Sequence, residues 1–209
     1  RSQRAGSPIV SEAKTIRQTE FTQNILSWQP WIKTVDEIDA TPEQLAAVDA
    51  ITKAKRGRTY WATLAHDPAS LNARYKLFNE VMSGNGGGPK SDRELAATAT
   101  SRVTSCIYCA SVHARAYSGL VKERATMQRL LGEGAAAELG PRERAIVDYS
   151  VKLALHPDQI TAGDLASLRE AGLSDLEILD VTNASAIFAN ANRLMATLGE
   201  ARRPAGTSE

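Results

Sequence analysis

The chain has 209 residues, enough for one substantial domain or two small ones. Its composition is 43% hydrophobic and 23% charged, and 25 basic against 24 acidic side chains leave a formal charge of +1. That balance fits an ordinary globular protein and excludes any electrostatic case for nucleic acid or an anionic membrane as a partner. No run approaches the ~18 apolar residues that a bilayer span needs, so no membrane segment is expected.

Residues 1–20 are polar and are expected to be a mobile segment, with no apolar stretch that would make a signal peptide. Thr41-Pro-Glu-Gln44 reads as an N-cap, a first-turn proline and a capping partner, opening a helix to about Lys55. Asp67-Pro68 opens another to about Met82. Ser83 to Pro89 is a glycine-rich break, including a Gly88-Pro-Lys-Ser91 stretch that lacks the strand and spacing of a phosphate loop. Ser91-Asp-Arg-Glu94 predicts a capping box for the next helix, and Ser105 a cap for one ending near Gly119. Pro141 starts a helix that stops before His156-Pro157, and Thr161 to Ala171 is a short one closed by Gly172. Ser174-Asp-Leu-Glu177 opens a long helix closing at Gly199, with Leu176, Leu179, Ala184, Ile187, Phe188, Ala191, Leu194, Met195 and Leu198 at three- and four-residue spacing. No stretch alternates with period two, so no sheet is expected and the fold class is all-α. The domain reading is a helical unit over 21–199, with a candidate break near 84–90, and a mobile tail over 200–209.

The two cysteines both lie in one Cys106-Ile-Tyr-Cys109 unit, which is no disulfide scaffold. A reducing, cytoplasmic location is the expectation, and there a Cys pair is more often catalytic or metal-binding than structural. On a helix capped at Ser105, Cys106, Cys109 and His113 fall on one stripe at i, i+3 and i+7. His113 is then one turn from Cys109, close enough to take a thiol proton, and the helix N-terminus favours thiolate. If residues 103–105 form a tight turn, the flanking helices run antiparallel. Glu94 and His113 then sit about ten and nine residues from it, at nearly equal height for a rise of about 1.5 Å per residue. That gives a Glu–His–Cys arrangement, the logic of an activated nucleophile.

Each residue also has a plainer reading. The cysteines read, less favourably, as small buried hydrophobes, His113 taken alone as an ordinary surface or core histidine, and Glu94 as the N3 partner of Ser91; on spacing alone the cap is the stronger reading of Glu94. Metal sites fail on count: zinc needs about four ligands where Cys106, Cys109 and His113 give three, and neither His66 nor His156 has ligand-like spacing. Haem attachment needs His directly after the second Cys, where Ala110 stands. No metal and no cofactor are therefore expected. Trp28, Trp31 and Trp61 read as core or as the lining of an apolar pocket or subunit contact, and Asn190 and Asn192 as a buried network or an interface.

Residues 94–119, from Glu94 through Cys106, Cys109 and His113 to Gly119, resemble the core of the alkylhydroperoxidase D and carboxymuconolactone decarboxylase superfamily. The motif is a Glu twelve residues before a CxxC with His four residues after its second Cys. The peroxidase-related branch looks most similar, with a likeness over roughly 21–199 that includes the Phe188 to Gly199 tail. The resemblance implies a multi-helix fold built around an antiparallel helix pair carrying the CxxC, homo-oligomeric assembly, and cofactor-free reduction of organic hydroperoxides at the expense of an external dithiol, lipoyl or thioredoxin-like. It implies that Cys109 attacks peroxide, Cys106 resolves it as a disulfide, and Glu94 with His113 relays the proton. Tyr108, between the cysteines, departs from the His often found there. A disulfide reductase or redox sensor of the same fold is the alternative, and decarboxylase-like lactone chemistry a poorer one, because that branch generally lacks the CxxC.

Overall fold

The computed structural model describes residues 15–53, 57–85 and 87–206. The ends expected to be mobile lie outside the described residues over 1–14 and 207–209. In chain order the elements are β1 (Thr15–Arg17), β2 (Ser27–Pro30), α1 (Pro42–Ile51), α2 (Arg58–Leu64), α3 (Pro68–Ser83), α4 (Lys90–Val103), α5 (Ile107–Val121), α6 (Ala125–Glu133), α7 (Pro141–Leu155), α8 (Ala162–Glu170), α9 (Asp175–Leu198) and β3 (Gly199–Pro204). The protein is predominantly helical, as the capping signals imply. Among the described residues no helix is long and apolar enough to cross a membrane.

Several helix starts follow the sequence directly. Gln44 and Thr41 exchange side-chain and backbone hydrogen bonds at the head of α1, and Ser174 and Glu177 do the same at the head of α9. Asp67 caps α3 through the Ser70 N–H, and the Asp164 carboxylate accepts from the Thr161 N–H and hydroxyl at α8. The α1 helix stops at Ile51, short of Lys55. Helices α2 and α6 have no N-cap side-chain bond, and the sequence carries no start signal for them.

Three local expectations are corrected. Ser91 caps nothing: α4 begins one residue earlier, behind Pro89, whose φ of −56° is set by its ring. Ser105 does not cap α5 either. It takes φ +60° in the turn, and Cys106 becomes the N-cap residue. A small sheet exists where none was expected. Strand β3 lies in its centre, antiparallel to β1 and β2, with Ile16 opposite Arg203 and Trp28 opposite Ala201. Its strands are three to six residues long and come from opposite ends of the chain, so no local period announces them. Residues 15–17 and 199–204 are thus paired strands. Gly199 is required there: a Cβ would lie 2.4 Å from both the Gln29 carbonyl oxygen and the Trp28 ring. The Trp28 indole N–H donates to the Met195 carbonyl at 3.2 Å, closing the sheet over the end of α9.

Helix α4 is the centre of the molecule. Leu95 through Ser101 are all buried on it, and it packs on α5, α7 and α9. The small side chains of that run, Ala96, Ala97, Thr98, Ala99 and Ser101, let three helices approach one helix closely. Buried Arg93 donates to the carbonyls of Val81, Gly84 and Gly88, tying the glycine-rich break down onto α4. On the apolar stripe of α9, Ala184, Ile187, Phe188, Ala191 and Met195 are buried and Leu194 partly so, whereas Leu176 and Leu179 are half exposed.

Candidate active site

Helices α4 and α5 meet through the turn 104–106, which α9 holds from beneath. Asn192, fully buried, donates to Thr104 Oγ1 at 2.8 Å and accepts from Ser101 Oγ at 3.2 Å. The Cys106 N–H returns to the Ser101 carbonyl at 2.9 Å. The two helices therefore run back along each other, and Glu94 meets His113 at 2.6 Å between Oε2 and Nδ1. Their side chains are 15% and 11% exposed, so this is a nearly dry contact. Freed from any capping role, the Glu94 carboxylate can only accept, so His113 Nδ1 carries the hydrogen. In the neutral ring Nε2 is then the basic nitrogen. The Phe188 ring packs edge-on against the imidazole at 4.1 Å between centroids, fixing its plane.

Both cysteines are buried free thiols. Their environments push them apart. Cys106 lies at the head of α5, where the Cys109 thiol, and less strongly the Cys109 backbone N–H, hold its pKa below the ordinary thiol value. The same thiol hydrogen bond, together with complete burial, pushes Cys109 well up. The positive charge of Arg74 pulls Cys109 the other way. The Cys109 Sγ also lies 3.2 Å from the Met195 Sδ. Of the two thiols Cys106 is thus the readier to ionise, and Cys109 holds its proton more tightly.

The thiols open onto different cavities. Cys109 and His113 share one of about 190 Å³ walled by Tyr60, Trp61, Phe78 and Phe188 and bearing Arg74. Cys106 lines a second of about 110 Å³ under the sheet, with Trp28, Trp31, Arg17 and Glu200. Tyr108 touches both.

All four sequence candidates, Glu94, Cys106, Cys109 and His113, are therefore brought into one neighbourhood. His66 is elsewhere, its Nε2 at 2.8 Å from the Lys33 carbonyl oxygen, and His156 terminates α7. Among the described residues no cluster of three His, Cys, Asp or Glu forms a metal site. Trp61 lines the Cys109 cavity, and Trp28 and Trp31 the Cys106 cavity. Asn192 serves the buried network, and Asn190 Oδ1 accepts from Arg74 Nε at 3.3 Å. The sequence reading missed Arg74, Tyr60, Phe188 and Met195 as site residues. They reach the thiols from α2, α3 and α9, and no local spacing marks them.

The sequence profile of the carboxymuconolactone decarboxylase family matches residues 68–152, which include α4, α5 and the CxxC. No curated protein matches the chain. Among solved structures, a peroxidase-related protein of Ralstonia eutropha JMP134 with an alkylhydroperoxidase AhpD core is 29% identical, with a TM-score of 0.62 over 70% of this chain and 76% of its own. A peroxidase-related protein of Silicibacter sp. TM1040 is 26% identical, with a TM-score of 0.66 over 81% and 92%. The debrominase Bmp8, at 17% identity and a TM-score of 0.62 over 84% and 91%, shares the fold. The family profile over residues 68–152, the helix pair with its motif and these likenesses together support a place for the chain in the alkylhydroperoxidase D and carboxymuconolactone decarboxylase superfamily.

Proposed function

We propose that this protein is a dithiol peroxidase that reduces organic hydroperoxides at Cys109. The observation that carries the reading is the Glu94–His113 hydrogen bond beside a cavity that His113 shares with Cys109. His113 Nε2 removes the Cys109 proton, and Glu94 stabilises the imidazolium that forms. The thiolate attacks the terminal peroxide oxygen to give a sulfenic acid and, after protonation, an alcohol. Cys106, held toward thiolate at the head of α5, attacks the sulfenic sulfur, expels water and closes the disulfide. An external dithiol, lipoyl or thioredoxin-like, reaches that disulfide from the Cys106 cavity and restores both thiols. No cofactor enters these steps. The assembly is proposed to be a homo-oligomer in the reducing cytoplasm.

The test is peroxide consumption with lipoyl, thioredoxin and glutathione reductants in parallel, together with single-cysteine variants. Cys106→Ser should accumulate a trappable sulfenic acid at Cys109, and Cys109→Ser should react slowly. A second reading, a disulfide reductase or redox sensor, draws on one observation: Cys106, not Cys109, is the readier thiol to ionise. If Cys106 forms sulfenic acid or a mixed disulfide faster than Cys109, and peroxide is not turned over, that second reading replaces the first.

A further inference from the structure

Among the described residues, other guanidinium groups near the core have carboxylate partners or several carbonyl partners, although the Nε of Arg93 is left over. Arg142 meets Asp92 and Glu177, Arg58 meets Asp36 and Asp49, and Arg93 collects three carbonyls. Arg74 is different. It projects from α3 into the Cys109 cavity and has no carboxylate partner among the described residues. Its Nε donates to Asn190 Oδ1 over a long 3.3 Å. Its Nη1 is buried and unpartnered, and so is the Tyr60 hydroxyl on the same cavity. The rings of Tyr60, Trp61 and Phe78 surround the guanidinium carbon at 5.5, 5.6 and 5.9 Å from their centroids. Cation–π contacts thus hold the group in place and leave the Nη1 hydrogens unspent. Burying an unanswered donor costs roughly 1–3 kcal/mol, and two beside one thiol call for a ligand that answers them.

We infer that Arg74 and Tyr60 are catalytic donors that receive the departing oxygen of the peroxide. The inference rests on the peroxidase reading above. In the step, the Cys109 sulfur bonds the terminal oxygen and the O–O bond breaks. The bonding pair leaves on the alkyl-bearing oxygen, which takes the proton that His113 drew from the thiol. Cys109–SH and ROOH become Cys109–SOH and ROH. Negative charge thereby moves from sulfur to oxygen inside an apolar cavity, where an unanswered charge is costly. One cation facing both positions offsets it throughout, as a preorganised oxyanion site does. Burial raises the Tyr60 pKa, so its hydroxyl stays a donor at every pH of interest. The same geometry selects substrate. A neutral, apolar hydroperoxide small enough for about 190 Å³ fits, whereas an anionic one would compete with the thiolate for Arg74.

The test uses the full chain in the Cys106→Ser background and follows sulfenic acid formation with two oxidants. tert-Butyl hydroperoxide expels a strongly basic alkoxide, and peracetic acid a weakly basic carboxylate. Arg74→Met should slow the alkyl hydroperoxide by roughly 30-fold or more and the peracid by about 3-fold or less. Tyr60→Phe should show the same pattern, smaller, and Arg74→Lys should recover part of the loss. Iodoacetamide alkylation, normalised to the thiolate fraction read from ultraviolet absorbance, should change little. Equal losses with both oxidants, or no loss, would overturn the inference while leaving the peroxidase reading standing. If the Cys106→Ser parent forms no sulfenic acid with either oxidant, both fall.

Discussion

Replacing Glu94 by Gln isolates the charge of the relay. Gln keeps the length of the side chain, and its carbonyl still accepts from His113 Nδ1, so ring orientation and tautomer survive. What is lost is the charge opposite an imidazolium. Two unit charges about 4 Å apart interact by ~4 kcal/mol at an effective dielectric of ~20, an upper bound here. A charge-assisted hydrogen bond contributes ~1.5–3 kcal/mol against ~0.5–1.5 for a neutral one. The difference, ~1–2 kcal/mol, is the better guide, because both side chains retain some exposure, 15% and 11%. It corresponds to a slowing of roughly 5- to 30-fold. The assay is stopped-flow formation of the Cys109 sulfenic acid in the Cys106→Ser background, at several peroxide concentrations. A double-mutant cycle sharpens it: Glu94→Gln should cost almost nothing further once His113 is Gln. A Glu94→Gln rate within about 2-fold of the parent, or additive losses in the cycle, would refute the relay.

Four further outcomes are expected. Mild peroxide on the wild-type chain should remove two hydrogens from the peptide holding Cys106 and Cys109, as seen by mass spectrometry; separate sulfonic acids with no disulfide would count against the resolving role of Cys106. Asn192→Leu should cost about 2–4 kcal/mol in urea unfolding, because it strands the buried Ser101 hydroxyl and removes the donor to Thr104, whose hydroxyl keeps only its bond to the Thr100 carbonyl; a loss under ~1 kcal/mol would show that the network is dispensable. Asp164 is held at about 2, chiefly by Lys152, so its contribution to stability is present above the unfolded value near 3.8 and is lost as pH falls through about 2. Asp164→Asn should therefore lower the melting temperature at pH 7, with the gap to wild type closing below pH 3; a gap independent of pH would assign the effect to the cap alone. Light scattering at micromolar concentration should give a multiple of the monomer mass, and a monomeric mass would reject the oligomer.

The sequence by itself determined the helices whose ends carry their own chemistry. Thr41 with Gln44, Asp67 with Ser70, and Ser174 with Glu177 mark starts through hydrogen bonds spanning three residues, and Pro68 and Pro141 through a fixed φ, so a local reading finds them. It also placed Cys109 and His113 on one helix and set Glu94 level with His113, because rise per residue and one tight turn fix those positions, although Cys106 sits at the head of that helix as its N-cap and not within it. It could not choose between Glu94 as cap and Glu94 as partner of His113. That choice was made by Pro89, which starts α4 early, and by α9, which holds the 104–106 turn through Asn192. Sequence logic gave both thiols a helix-end advantage, but only packing decided how the proton is shared: the hydrogen bond between the two thiols lowers Cys106 and, with complete burial, raises Cys109. The sheet and the cavity were likewise tertiary decisions. β3 meets β1 and β2 from the far end of the chain, and Tyr60, Arg74 and Phe188 converge on Cys109 from three helices, contacts whose sequence separation leaves no periodic trace.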